Sequence, residues 1–324
     1  MNAAAIRVLF DYNAWANAQV WNCMKDISDE KFTREVDYSL GSLRNHMVHM
    51  ASVDARWFAR VRGVRLPDHM KPENFKTRED VSRLWSVIYS DIDVALQHLA
   101  DARVTEVVDY HSWGQDRSNA VWQILLHVLN HATNHRAQVL YLLNKMGVKT
   151  VEQDFVYYLR DELPPRGQVT VSADIIRQLF SYDIYMTSQL VSEGMAGLND
   201  GQLDKNFGYS HGNVRAQLAH VLVAGRYWLE RAFDTEIDGT VNAIFGAMSE
   251  YGDAVTDKAL MLPVEYKTGA GVSAANMRWE MLWNLVNHGT DHRAQTLAML
   301  HELGAPTFEQ DLMIYFWETE SSEL

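Results

Sequence analysis

Residues 130–140 read NHATNHRAQVL, and residues 287–297 read NHGTDHRAQTL, the same pattern displaced by 157 positions. Each copy sets two histidines four residues apart, His131 with His135 and His288 with His292. On a helix that spacing puts both imidazoles on one face, a turn apart. The repetition extends outward from this stretch. SLGSLRNHMVHMASVDARWFARV from Ser39 matches SHGNVRAQLAHVLVAGRYWLERA from Ser210, and LFDYNAWANAQV from Leu9 matches LFSYDIYMTSQL from Leu179. TVEQDFVYYL from Thr150 matches TFEQDLMIYF from Thr307. The blocks keep one order, and the second set is shorter between its second and last members. The pattern predicts an all-α chain built as two tandem bundles related by internal duplication, over residues 1–162 and 173–324. The join is expected near Glu162–Ser172, where Pro164, Pro165 and Gly167 interrupt any helix.

The 324 residues suffice for two domains with cores of their own. Hydrophobic residues make up 47% and charged residues 22%, which excludes wholesale disorder. The formal charge of −13 opposes binding to nucleic acid or to an anionic membrane, and the arginines of Arg56–Arg65 are too scattered to form a basic patch. The single cysteine, Cys23, rules out an internal disulfide and a cysteine zinc knuckle, and it reads as a buried, inert thiol. The N-terminus breaks any apolar run with arginine and aspartate, and Ser118–His135 is too polar to span a bilayer. A cytoplasmic protein is expected.

Each half reads as four long helices. The first is predicted over Asn2–Met24 on the stripe Ile6, Leu9, Phe10, Tyr12, Asn13 and Val20. Ser42 and Asn213 are cap residues for the second, which stops at Gly63 in the first half. Thr77 and Asp80 open the third in capping-box spacing. The fourth is predicted over Ser118–Met146 and ends at Gly147, as its partner ends at Gly304. Thr150 with Gln153, and Thr307 with Gln310, are expected to cap a short terminal helix. Val104–Trp113 and Pro263–Gly271 read as irregular segments or short strands. Trp57/Trp228, Phe10/Phe180 and Tyr158/Tyr315 read as core.

The duplication also sorts the thirteen histidines. His49 pairs with His220, His131 with His288, and His135 with His292. His46 faces Gln217, His127 faces Asn284, and His211 faces Leu40. Three histidines per half remain, a donor set that suits zinc or nickel first, then iron, with copper also chemically compatible. Three protein ligands leave an ion an open position, the mark of a reactive rather than a structural site. Gln138 and Gln295, three residues past the second histidine, are candidates to orient a ligand or hold substrate. Tyr12 and Tyr182 could donate a hydrogen bond at the site, although packing is the simpler role for all four. Arg136 and Arg293 are expected to pair with Asp154 and Asp311 or with other acids, locking the terminal helix.

LFDYNAWAN, SLRNHMVHM and NHATNHRAQ resemble the DinB-like (DinB/YfiT) family of damage-inducible four-helix metalloproteins, over nearly the whole chain and twice. The resemblance implies a three-histidine divalent-metal site in each bundle, on His49, His131 and His135 and on His220, His288 and His292. It also implies similarity to thiol-dependent transferases that use a low-molecular-weight thiol. The second half departs from the pattern where Trp15 and Asn17 become Tyr185 and Thr187. The sequence offers no carboxylate base read as common to both copies, so the resemblance favours S-transfer over hydrolysis. The alternative is a non-catalytic metal-binding or small-ligand stress-response module. The expected partner is a small molecule, and the expected assembly is either a monomer with pseudo-twofold halves or a homodimer.

Overall fold

The computed structural model describes residues 1–162, 168–269 and 271–321. In chain order the first half places α1 (Ala3–Cys23), α2 (Leu43–Arg62), α3 (Arg78–Gln97), a hairpin of β1 (Val107–Ser112) and β2 (Gln115–Ala120), α4 (Val121–Lys145) and the short α5 (Phe155–Asp161). The second half gives α6 (Ala173–Gln189), α7 (Val214–Phe233), α8 (Val241–Ala254), a hairpin of β3 (Pro263–Lys267) and β4 (Ser273–Met277), α9 (Arg278–Glu302) and α10 (Leu312–Ser321). The fold is mostly helical with small antiparallel hairpins. Pro164, Pro165 and Gly167 lie outside the described residues.

The helix ends follow local chemistry. Asn2, Ser42 and Thr77 each accept a backbone N–H at the start of their helix, and Asp80 completes the Thr77 capping box. Gly63 takes φ 64° to end α2, a left-handed conformation that a Cβ would oppose. α4 begins at Val121 rather than Ser118, because Ser118–Ala120 pair in register with Val107–Asp109. In place of a hydroxyl cap, the Gln123 side chain accepts from the Ala120 N–H, and Glu280 does the same for Met277 at α9. Two segments read as ambiguous are thus hairpins. The turn of the first puts both Trp113 (φ 50°) and Gly114 (φ 74°) in left-handed space, as a tight two-residue connection requires. The expected Thr150/Gln153 and Thr307/Gln310 capping boxes do not form. Gln153 instead donates to Asp291, Gln310 donates to the Thr290 carbonyl, and Asp311 accepts the Met313 and Ile314 N–H groups.

The chain forms two compact units, and they are not serial cuts of the sequence. One holds Asn2–Val151 together with the segment from Asp311; the other holds Met1 with Glu152–Gln310. Each therefore differs from 1–162 or 173–324 in its terminal helix. In the first unit, α10 packs on α4, and Trp317 donates from Nε1 to Tyr110 and Asn119, 3.1 Å from each. In the other, α5 packs on α9, with Phe155 against Trp279. The first core is built from α1–α4 and the second from α6–α9, with Ile6, Leu9, Met47, Ile124 and Leu126 fully buried in the first. Trp57, Trp228, Phe10, Phe180, Tyr158 and Tyr315 are all buried. Among the described residues, no helix is long and apolar enough to cross a membrane.

Candidate metal centre

In the first unit, α2 carries His49 at mid-length, while α4 carries His131 and His135 on the face turned toward it. One nitrogen from each of the three lies within 4.8 Å of the other two. His49 Nε2 and His131 Nε2 are 3.0 Å apart. Two nitrogens each about 2.0–2.1 Å from one ion fall at roughly that separation. Burial, followed by the neighbouring histidines, pulls His131 and His135 well below the usual imidazole range; burial and the more distant His69 bring His49 to about 4. All three are therefore neutral at pH 7, the form that ligates. Gln138 accepts from His135 Nδ1 at 2.9 Å, fixing that ring with its other nitrogen free for the cluster. His46, fully buried on α2, brings its Nδ1 to 3.3 Å from His135 Nδ1. His131 Nδ1 is buried with no hydrogen-bond partner among the described residues.

The second unit is arranged differently. The nitrogens that come within 4.8 Å of one another belong to His211, His220 and His292. Where the sequence expects His288, this cluster holds His211, an exposed residue of the loop before α7. His288 is close by, its ring 4.9 Å from His220 and 4.2 Å from His292, centroid to centroid. Its Nδ1, however, is tied to Asp154 Oδ1 at 2.9 Å, and its Nε2 is buried without a partner among the described residues. Burial alone would lower the His288 pKa, but Asp154, with Asp291 and Asp183 behind it, raises it. Burial and then His288 bring His220 down to about 4, and the same two causes hold His292 well below its usual value. Gln217, at the place His46 holds in the first half, donates to Gln295 Oε1 at 2.6 Å and lies 3.1 Å from His292 Nδ1.

Other expectations meet different partners. Tyr182 donates to the Gln310 carbonyl at 3.1 Å rather than to the histidines, and Tyr12 lies with its ring against Arg136. Gln295 donates to Asp291 at 3.1 Å. Arg136 does not pair with Asp154 or Asp311. It donates to Asn13 and Asn17 on α1 and to Thr133, while Arg293 donates to Asp183, Thr187, Thr290 and Gln310. Each guanidinium is pointed at the first helix of its own unit, leaving both aspartates to histidines: Asp154 to His288 and Asp311 to His127, at 2.9 and 3.1 Å. A carboxylate thus stands at one place in the TVEQD and TFEQD blocks after all. Cys23 is half-buried, and burial pushes its thiol up.

The DinB family model matches residues 1–169 and 235–323. The chain belongs to the DinB family. Protein DinB of Bacillus subtilis (strain 168) is similar to it, at 23% identity over 157 residues that make up 47% of this chain and 91% of that protein. The segments matched by the DinB model carry His49, His131, His135, His288 and His292, whereas His211 and His220 lie between them. The residues missed by reading the sequence left uneven traces. Asp154 and Asp311 occupy one position in the TVEQD and TFEQD blocks, so the comparison applied to the histidines would have found them. His211 faces Leu40 in the other copy and left no such signal.

Proposed function

We propose that this DinB-family chain is a divalent-metal-dependent enzyme, made of two tandem four-helix bundles that arose by duplication and acting on a small-molecule substrate by thiol S-transfer, a choice of reaction that rests on the family resemblance alone now that Asp154 and Asp311 supply matching carboxylates. The observation that carries the reading is the meeting of His49, His131 and His135 nitrogens within 4.8 Å, in a buried setting that keeps the rings neutral. That donor set fits zinc, nickel or iron(II). An ion held there supplies Lewis acidity, lowering the pKa of a thiol or water at its open position. The protein's own part is positional. Gln138 holds the proton of His135 on Nδ1, and the α2 and α4 backbones fix the ring spacing. In the second bundle Asp154 fixes the proton of His288 on Nδ1, and His211, His220 and His292 would supply the nitrogens. Cys23 is the chain's one cysteine and belongs to neither histidine cluster, so in this reading the reactive thiol comes from a cosubstrate.

The test is elemental analysis of the purified chain beside consumption of a low-molecular-weight thiol, glutathione or bacillithiol, with an electrophilic acceptor. Bound metal, together with turnover lost on chelation and restored by zinc or nickel, supports the reading. Turnover that persists in metal-free protein overturns it. Tight metal binding without thiol consumption across a panel of acceptors favours a binding module instead.

A further inference from the structure

Away from the histidines, the first unit contains a cavity of about 400 Å³ lined by Phe58, Val61, Leu96, Leu99 and Leu125. Phe58 lies nine residues beyond His49 on α2, about 13 Å along the helix axis at 1.5 Å per residue, so this is a separate site. A cavity of this size lies within the range of small-molecule sites. Arg62, His98 and Arg103 also line it, with Arg62 and His98 exposed. Both arginines already have acidic partners: Arg62 bonds Asp91 at 2.9 Å, and Arg103 bonds Glu106 and the Val61 carbonyl. The surroundings therefore offer apolar surface without an unmatched cation.

The second unit shows what the fold does with the same space. α2 and α7 have matching bounds, Leu43–Arg62 and Val214–Phe233, so Arg62 stands where the other half has Phe233. Asp101 and Asp257 anchor the other wall, accepting the N–H groups of Ala3 and Ala173 at the starts of α1 and α6. Counting back six residues from each places Ala95 opposite Tyr251. Phe233 and Tyr251 stack on one another, 4.4 Å between centroids and 21° between planes. Arg278 closes over Phe233 and donates to the Ala232 carbonyl, the counterpart of Val61. Two rings fill in one half what an arginine and an alanine leave open in the other.

We propose that the cavity beside Ala95 is a binding site for a neutral aromatic small molecule, which occupies the place of the Phe233–Tyr251 stack. Stacked or edge-on aromatic contact with Phe58 and burial against the leucines supply the attraction. The comparison of halves uses the duplication proposed above, but the binding measurement does not, so absent binding overturns the site while leaving that reading standing.

The probe is N-phenyl-1-naphthylamine, titrated into the full chain by fluorescence and by calorimetry. One saturable site per chain is expected, with a Kd of about 0.2 mM or tighter, as ordinary ligand efficiency gives for a molecule of this size. Ala95→Tyr with Arg62→Phe installs the second half's stack and should weaken binding at least tenfold while leaving metal content unchanged. Ala95→Phe alone should weaken binding in the same direction, and carries the test if the double variant does not fold. Absence of saturable binding to the native chain, or native affinity in a folded variant, overturns the proposal.

Discussion

Replacing Asp183 with asparagine should destabilise the second unit far more than its small change in shape suggests. Asp183 and Arg293 are 4% and 0% exposed, and the guanidinium donates directly to the carboxylate. Burial raises the Asp183 pKa while Arg293 pulls it down, so the pair is mutually dependent. Removing one charge from a buried pair typically costs about 3–5 kcal/mol, because the remaining ion keeps its desolvation penalty without its partner. For a unit of this size that corresponds to a Tm lowered by roughly 6–20 °C. The first half already shows how such an arginine is held without that carboxylate: Arg136 donates to the amide oxygens of Asn13 and Asn17. The second half has Thr187 where Asn17 stands. Asp183→Asn combined with Thr187→Asn should therefore recover about half the loss by rebuilding the two-amide cradle. Thermal and urea melts followed by circular dichroism, with the slope m checked for constancy, read both effects. A single-variant shift below about 2 °C would refute the argument that Arg293 depends on this charge.

Three further outcomes are expected. In metal-free protein, stability should fall as pH drops from about 6.5 toward 4, because the unfolded chain takes up protons that native His49 and His220, with pKa values near 4, refuse; urea melts across that range check it. Asp54 is fully buried and receives a 2.6 Å hydrogen bond from Tyr89, yet burial raises its pKa to about 7, so its contribution to stability is full below pH 3.8 and lost as pH rises through 7. Asp54→Asn should flatten that decline and make the variant the more stable protein at pH 8, with little difference at pH 4. Trp317→Ala should cost about 3–5 kcal/mol, removing a ring that bonds Tyr110 and Asn119 and sits 4.6 Å from the Arg117 guanidinium; limited proteolysis should then cut the α10 segment first.

How far the sequence discloses the molecule can be traced residue by residue. Helix caps at Asn2, Ser42 and Thr77 are local chemistry, and they stand where the residues place them. The grouping of His49 with His131 and His135 was legible because the spacing was repeated and the register of α2 against α4 leaves little freedom. His211 was not legible: it reaches its cluster from a loop held by Ser210 at φ 50° and Gly212 at φ 87°, and loop paths follow no periodicity. The hairpins were ambiguous because β1 only alternates exposed and half-buried residues, and β2 is polar with Asn119 its one buried residue, so neither carries a strong apolar pattern. That Arg293 finds an acid was legible, but not that the acid is Asp183 or that Arg136 meets Asn13 and Asn17 instead, because spacing along one helix does not tell which neighbour lies above a given face. Nor could the destination of the terminal helices be read, since α5 and α10 present similar aromatic faces, Phe155 and Tyr158 in one and Tyr315 and Phe316 in the other.

The allocation of those two helices bears on any attempt to dissect the chain. A gene split between the two halves of the sequence would yield fragments that each keep a helix foreign to their own compact unit and lack the one that completes it. Asp311 would be parted from His127, and Asp154 from His288. Independent expression of either half should therefore use a permuted boundary, with 311–321 joined to 2–151 and with 152–310 made as one piece. Coexpressed sequence halves should recover their native complement only by exchanging ends.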